Sequence, residues 1–534
     1  MPSLSDVAHR AALEARSAAV LARAGLIAPA LPQRHFAMGR AVARFGAFGC
    51  LLGAAAIRFG DQPALRDDRG MLTWHEVDRR TNAVANELAR RGVRAGDGVA
   101  ILARNHRGFL DAVFGAAKVG ARVILLNTDF AGPQIRDVTE REGTRLLICD
   151  DEYYELVGDA HPELGTIRAW TDEPADGTLE DLIARGSAEP VGKPAEHAKI
   201  IILTSGTTGT PKGASRSEPK SLIQIAALLT KVPYRPRQTM ALGAPMFHAL
   251  GLTMMVLACS MGMTLLLQRK FSGEGFAEDL AQADNAVAVP VMMRRVLAAG
   301  PKPSSRLKII FLGGSQLGAE LCRDITAAYG PVVYNLYGST EVAYATIATP
   351  AELAIEPGSV GSPPPGARVA ILDEHGREVP TGTVGRIFVN NGFAFEGYTG
   401  GGSKEVIDGL MSSGDVGHFD HHGLLHVDGR DDEMIVSGAE NVFPREVEEL
   451  LAEMDGVDEA ALVAVPDEEW GQRLAAYVVR TAGAGVDAEG VKAYVKKHLA
   501  RYKVPRDVHF VDELPRNPTG KVLKRELTPA LADG

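Results

Sequence analysis

Ten residues, Thr204 to Gly213 (TSGTTGTPKG), follow directly on the apolar run KIIIL. Gly206 and Gly209 let a backbone come close to an anion, and the hydroxyls of Thr204, Ser205, Thr207 and Thr208 can donate to phosphate oxygens. Lys212 adds a positive charge. A merely flexible turn has no use for so many donors after a buried strand, so the stretch is predicted to cradle phosphate. It is not a Walker loop, whose GxxxxGK[ST] spacing would require glycine where Pro211 stands.

Six further stretches carry polar or glycine-rich chemistry at intervals along the chain. They are APMFHALGL at 244–252, FLGGSQLG at 311–318, NLYGSTE at 335–341, SSGDVG at 412–417, GRDDEMIVSGAENVFPREVE at 429–448 and PRNPTGK at 515–521. Taken singly, Glu341 reads as a surface acid, Tyr337 as a core ring and Lys521 as one exposed lysine among many. In order and in register, the seven stretches resemble the adenylate-forming superfamily, which contains acyl-CoA synthetases, peptide-synthetase adenylation domains and firefly luciferase. The resemblance runs from roughly Arg58 to Leu527.

The resemblance implies a reaction in two halves. A carboxylate attacks the α-phosphate of ATP and expels pyrophosphate, leaving an acyl-AMP; the thiol of coenzyme A then takes the acyl group. Bringing two anions together calls for cations and oriented donors more than for a base. By the same resemblance the 204–213 loop holds the β- and γ-phosphates, Thr340 donates to the α-phosphate, and Glu341 is the ligand for Mg²⁺. Adenine is placed between the backbone of Gly313, Gly314 and Ser315 and the ring of Tyr337, beside Gly338, with Asn335 near its edge. Asp415 and Arg430 are assigned to the ribose hydroxyls. Lys521 is assigned to the α-phosphate and the attacking carboxylate, Asp432 to a hinge, and Gly438, Ala439 and Glu440 to the pantetheine channel reached after rotation.

For the acyl group, Leu250 to Leu267 with Val291 and Met292 resembles a tunnel wall in fatty-acid-activating relatives. Phe247, small Gly251 and flexible Met255 suit a long, featureless chain, and no charged residue stands where an amino-acid substrate would need one. His248 aligns with a position bordering the acyl and thiol channels and is carried as a catalytic candidate beside an ordinary structural role. The expected function is therefore a medium- or long-chain fatty acid–CoA ligase. A carrier-protein-loading acyl-AMP ligase and a silent adenylate-binding protein are the alternatives. Two departures, DGLMSSGD and GYTGGGSKEV, leave the catalytic positions untouched. His418, His421, His422 and His426 crowd one segment, but without cysteines they read as a β-hairpin and its turn, not as zinc ligands.

These residues need a scaffold of several cores, and 534 residues, 46% of them hydrophobic, supply the material. Strand-like runs (VAILAR at 99–104, RVILLN at 122–127, RLLICD at 145–150, KIIILT at 199–204) alternate with helical patterns, which predicts an α/β fold with largely parallel sheets. A β-rich subdomain is expected over 360–427, and a smaller mobile α+β domain opens its first helix at Pro444. The expected parts are an extension over 1–57, an adenylation domain over 58–429 and a C-terminal domain over 430–534. Phe45 to Ile57 is too short to span a bilayer and is expected to pack in the core, as is Leu250 to Leu267, which Gly262 divides into helix and strand. A net charge of −10 argues against nucleic acid as a partner. Cys50, Cys149, Cys259 and Cys322 lie far apart and fit a reduced, cytoplasmic protein. Peripheral membrane contact and homodimer formation stay open.

Overall fold

The computed structural model describes residues 4–26, 32–204, 212–216, 221–392, 395–399, 403–431, 435–437, 440–442, 444–467, 471–517 and 520–527. They divide into two compact units. One comprises Met1–Leu312, Pro364–Gly366 and Gly392–Lys404; the other comprises Gly313–Pro363, Ala367–Asn391 and Glu405–Gly534.

In the first unit the four apolar runs become neighbouring strands of one sheet. Lys199–Thr204, Arg122–Leu125, Gly98–Leu102, Thr144–Cys149 and Thr166–Arg168 run parallel in that order, and Lys212–Arg216 and Phe395–Tyr398 extend the sheet antiparallel. Every residue of Gly98–Leu102 is buried, as expected of a parallel strand covered on both faces. A second sheet aligns Ile309–Leu312, Asn285–Ala288, Thr239–Leu242, Thr264–Leu266 and Pro63–Asp67 in parallel, with Gly70–Thr73 as an antiparallel edge. Leu250 to Leu267 divides as expected into the helix Ala249–Met261 and the strand Thr264–Leu266. Gly262 makes the break: it sits at φ 63°, its N–H closes the helix, and a Cβ there would strike the Phe59 ring at 2.5 Å.

Three helices, Leu4–Arg23, Pro32–Gly49 and Leu51–Phe59, precede the sheets. The apolar segment 45–57 is spent on packing, with Phe45, Leu52, Ala55 and Ala56 buried and its helix against Trp74–Arg91 and Ala249–Met261. No described helix is long and apolar enough to cross a membrane. All four cysteines are buried and none forms a disulfide among the described residues.

The second unit opens with the helix Ala319–Tyr329, followed by the hairpin Val333–Tyr337 and Thr346–Ala348. The β-rich stretch forms an antiparallel sheet of Arg368–Leu372, Gly385–Asn390, Leu410–Phe419, Val406–Ile407 and Leu425–Arg430. The crowded histidines sit at its hairpin. His418 meets Asp428 at 2.8 Å and His426 meets Asp420 at 3.3 Å, while Asp420 also accepts from the turn amides of His422 and Leu424. The C-terminal sheet contains Glu440–Val442, Ile435–Ser437, Gly471–Arg480 and Val457–Asp467, with Asp507–Val511 parallel to Gly471–Arg480. Helices Pro444–Ala452 and Ala488–His498 supply Val447, Leu451, Val491 and Val495 to its core.

Candidate active site

The strand Val333–Tyr337 puts Asn335 and Tyr337 on one face, two residues apart. Tyr337 donates its phenol hydrogen to Asp415 Oδ2 at 2.6 Å, with Ser413 Oγ 3.2 Å away. Asp415 is held from several sides. Its amide donates to Ser413 Oγ, its ladder partner is Arg430, and the Arg430 guanidinium reaches Asp415 Oδ1 at 3.3 Å. Burial pushes the Asp415 carboxyl above its ordinary range, against the opposing pull of Tyr337, Arg430, Lys521 and Arg445. The Tyr337 phenol is driven well up by burial and by the neighbouring carboxylate, so it remains a donor. Sequence and structure therefore bring Tyr337, Asp415, Arg430 and Lys521 to one locus.

Asn335 is buried, and its Oδ1 has no hydrogen-bond partner. An orphaned buried acceptor costs ~1–3 kcal/mol and is tolerated where a ligand satisfies it. An exocyclic amine such as that of adenine is the matching donor. Gly313 to Ser315 follow the strand Ile309–Leu312 in the chain, with Gly314 at φ 87°.

The turn after Tyr337 is built too tightly for a side chain at Gly338, whose Cβ would lie 2.2 Å from the Ala343 carbonyl oxygen. Within it Ser339 donates to Glu341 Oε2 at 2.8 Å and accepts from the amides of Glu341 and Val342 at 3.2 and 3.3 Å. Glu341 is thereby fixed in orientation beside half-buried Thr340. Among the described residues no group of three or more His, Cys, Asp or Glu could enclose a metal ion. A single oriented carboxylate nevertheless fits Mg²⁺ that brings phosphate and water oxygens with it, the usual shell of a nucleotide-bound ion.

Thr204 ends one strand and Lys212 begins the next, and the two are paired directly across an antiparallel ladder. Gly213 is required there, since a Cβ would meet Thr399 Oγ1 at 2.4 Å. Ser205, Gly206, Thr207, Thr208 and Gly209 lie outside the described residues, as do Asp432, Gly438 and Ala439; Glu440 opens a short strand. Lys521 is exposed on a turn closed by Asn517, which accepts the Lys521 amide at 2.9 Å and donates its own to the Lys521 carbonyl at 2.9 Å.

His248 immediately precedes the helix Ala249–Met261 and makes no side-chain cap. Its Nε2 is buried without a partner, and burial lowers the imidazole to about 4, so the ring is neutral at neutral pH. Phe247, Met255 and Met292 are buried around this region of the unit and Val291 is half-buried. The small size of Gly251 has a different cause from the one its sequence suggests: a Cβ there would lie 2.2 Å from the Pro245 carbonyl oxygen, so helix packing already demands glycine.

Four residues of these sites escape sequence reasoning. Ser339 and Ser413 sit inside quoted motifs but look like spacers. Arg445 looks like an ordinary first-turn helix residue, yet its charge bears on both Tyr337 and Asp415. Asn105 is buried and pins the loop that carries Phe247 and His248. It donates to the carbonyls of Leu242 and Ala244 at 3.2 and 2.9 Å and accepts from the Met246 amide at 2.8 Å. An asparagine directly after the strand VAILAR was its only signal.

Residues 52–399 match the AMP-binding enzyme family, and residues 446–521 match the AMP-binding enzyme C-terminal domain. The chain belongs to this family of adenylate-forming ligases. It is 30% identical over 486 residues to the fatty acid–[acyl-carrier-protein] ligase ScoC of Streptomyces coeruleorubidus, covering 87% of this chain and 92% of that one. It is 32% identical over 475 residues to a feruloyl-CoA synthase of an Amycolatopsis species, covering 87% and 95%. The crystal structure of ATP-bound MatB from Rhodopseudomonas palustris superposes with a TM-score of 0.79 at 27% identity, over 90% of this chain and 99% of that one. The fold and these relatives define an ATP-binding ligase that forms acyl or aryl adenylates and transfers the acyl or aryl group to coenzyme A or a carrier protein, releasing AMP.

Proposed function

We propose that this enzyme activates a medium- or long-chain fatty acid as its acyl-AMP and transfers the acyl group to coenzyme A. The observation that carries the choice of acid is the lining around His248. From Ala244 to Leu267 there is no charged side chain, the residues are largely buried and rich in methionine, and the one titratable ring is neutral. Such surroundings favour an uncharged aliphatic tail, each buried methylene contributing ~0.8 kcal/mol. Similarity to a relative whose name specifies a fatty acid supports the same choice.

In this reading the fatty-acid carboxylate oxygen attacks the α-phosphorus, the bond to the bridging oxygen breaks, and pyrophosphate leaves. Thr340 and Lys521 donate to the α-phosphate as charge builds there, and Lys521 also orients the incoming carboxylate. Tyr337 and Asn335 hold the adenine; Asp415 and Arg430 hold the ribose. The loop from Thr204 to Gly213 takes the departing phosphates, and Glu341 would hold Mg²⁺, which supplies charge neutralisation when bound. The small domain then turns about Asp432, carrying Lys521 away and bringing Gly438, Ala439 and Glu440 toward the thiol. The thiol sulfur attacks the acyl carbon, its proton passes to solvent, and AMP leaves with the phosphate oxygen. His248, neutral and with a free ring nitrogen, borders that path.

Transfer to a carrier protein is the second reading, favoured by the likeness to ScoC. One experiment separates the two. Purified enzyme is given ATP, Mg²⁺ and a panel of aliphatic, aromatic and amino acids, alone or with coenzyme A or a phosphopantetheinyl carrier protein, and products are read by mass spectrometry. Acyl-CoA, AMP and pyrophosphate in equal amounts from aliphatic acids support the proposal. Acyl-AMP that coenzyme A cannot discharge, or preference for aryl acids, refutes it.

A further inference from the structure

Positions 15–60 contain six arginines and no aspartate or glutamate, a local charge of +6 in a chain whose total is −10. The remaining residues therefore carry −10 − 6 = −16, and the asymmetry falls on the N-terminal helices, most of which precede the family match beginning at residue 52. Two of these arginines are used internally. Arg58 donates to the carbonyls of Ser260 and Gly25, and Arg44 donates to that of Pro190.

The helical segment Pro32–Gly49 kinks at Gly46, where φ is 74°, and buries Phe45, Gly46 and Gly49 around the kink, while the turns before it are largely in solvent. A surface helix ordinarily turns its polar residues outward. Here the side opposite Phe45 carries Phe36 at 67% exposure with exposed Gly39 and Ala43, and Val42, at 45%, stands about 120° round the helix from Phe36. Arg40 is exposed beside Phe36, its guanidinium 4.9 Å from the ring centre, and Arg34 is exposed in the first turn of the helix. No carboxylate interrupts the helix anywhere along its length.

We propose that the exposed face of Pro32–Gly49 is a docking surface for an anionic phospholipid bilayer, with Phe36 and Val42 entering the headgroup boundary and Arg34 and Arg40 meeting lipid phosphates. Apolar tips flanked by long cationic side chains, with no anion to repel the surface, are the chemistry of a helix that lies in a membrane interface. The arginines can keep their charge at headgroup level while their stems cover the apolar patch. A nucleic acid would use the same cations but gain little from Phe36 and Val42. A second copy presenting the same face would bring arginine against arginine. The apolar segment 45–57 is not the contact, because it is already committed to the core.

The test uses the full chain and sedimentation with two kinds of vesicle, pure phosphatidylcholine and phosphatidylcholine with about one-third phosphatidylglycerol. Binding to the anionic vesicles alone is expected, falling at least ~10-fold in high salt and in the double variant Phe36→Asp, Arg40→Glu. That variant should release pyrophosphate in solution at the parental rate, which reports that it is folded. As a second readout, Phe36→Trp should add blue-shifted emission on mixing with anionic vesicles. Equal binding to neutral vesicles, binding that the double variant retains, no binding at all, or a shift to dimer or to nucleic acid in place of vesicles would each overturn the proposal.

Discussion

Replacing Tyr337 with phenylalanine removes one hydroxyl and leaves the ring that would stack on adenine. The lost group is the 2.6 Å donor to Asp415, and it heads the interactions that pull this buried carboxyl down against the effect of its burial. A hydrogen bond to a charged group is worth ~1.5–3 kcal/mol, which corresponds to a loss of roughly 10- to 150-fold in kcat/KM for ATP. The lower end is expected, because Arg430 remains 3.3 Å from Asp415 and the charges of Arg445 and Lys521 still act on it. The sign of the pH effect follows. Without the phenol the Asp415 carboxyl titrates still higher, so the acid limb of the pH profile should move upward and part of the loss should be recovered in alkaline buffer. Pyrophosphate release against ATP concentration, measured across pH for both proteins, checks this. An unchanged acid limb with unchanged kcat/KM would show that Asp415 does not need to be ionised and that the Tyr337–Asp415 pair is only structural.

Lys521→Ala should lower adenylation by several orders of magnitude while supplied acyl-AMP and coenzyme A still give thioester; equal losses in both half-reactions, with the fold intact by circular dichroism, would contradict the assigned role. His248 should make the fold acid-sensitive. Its folded value of about 4 lies below the ordinary value of 6.5, so stability is complete above the latter and is lost as pH falls toward the former. The expected loss is about 2 kcal/mol between roughly pH 7 and pH 5. His248→Phe should be spared that increment in urea unfolding, and equal acid sensitivity in both proteins would count against a buried neutral imidazole. Gly251→Ala should destabilise by ~1–3 kcal/mol through the Pro245 carbonyl, seen as a lower Tm, without shifting preference among acyl chain lengths. A normal Tm with a shortened chain preference would restore Gly251 to the tunnel wall.

Much of this protein is legible in its residues. The parallel strands could be read because a strand buried on both faces must be continuously apolar, as GVAIL is, and the break at Gly262 because the chain needs a left-handed residue there. Glycine-rich turns, the order of the motifs and the helix opening at Pro444 could be read for similar local reasons. What escaped is mostly non-local. Ser413 lies 3.2 Å from the Tyr337 phenol across 76 residues of chain, whereas its bond to Asp415 and that of Ser339 to Glu341 span two residues and escaped because a serine at that spacing looks like a spacer. Asn105 becomes the anchor of the His248 loop across some 140 residues of chain, a distance that no local pattern encodes. Gly251 shows the converse, a residue whose smallness suggested open space and whose neighbours show crowding. The sequence by itself determined which chemistry the chain can carry and which strands and helices hold it, because side-chain type and hydrophobic period act locally. Only the tertiary structure decided that Tyr337 donates to Asp415, that Asn335 keeps an unsatisfied oxygen and that Phe36 stays in solvent, because burial and partners are set by segments far apart in the chain.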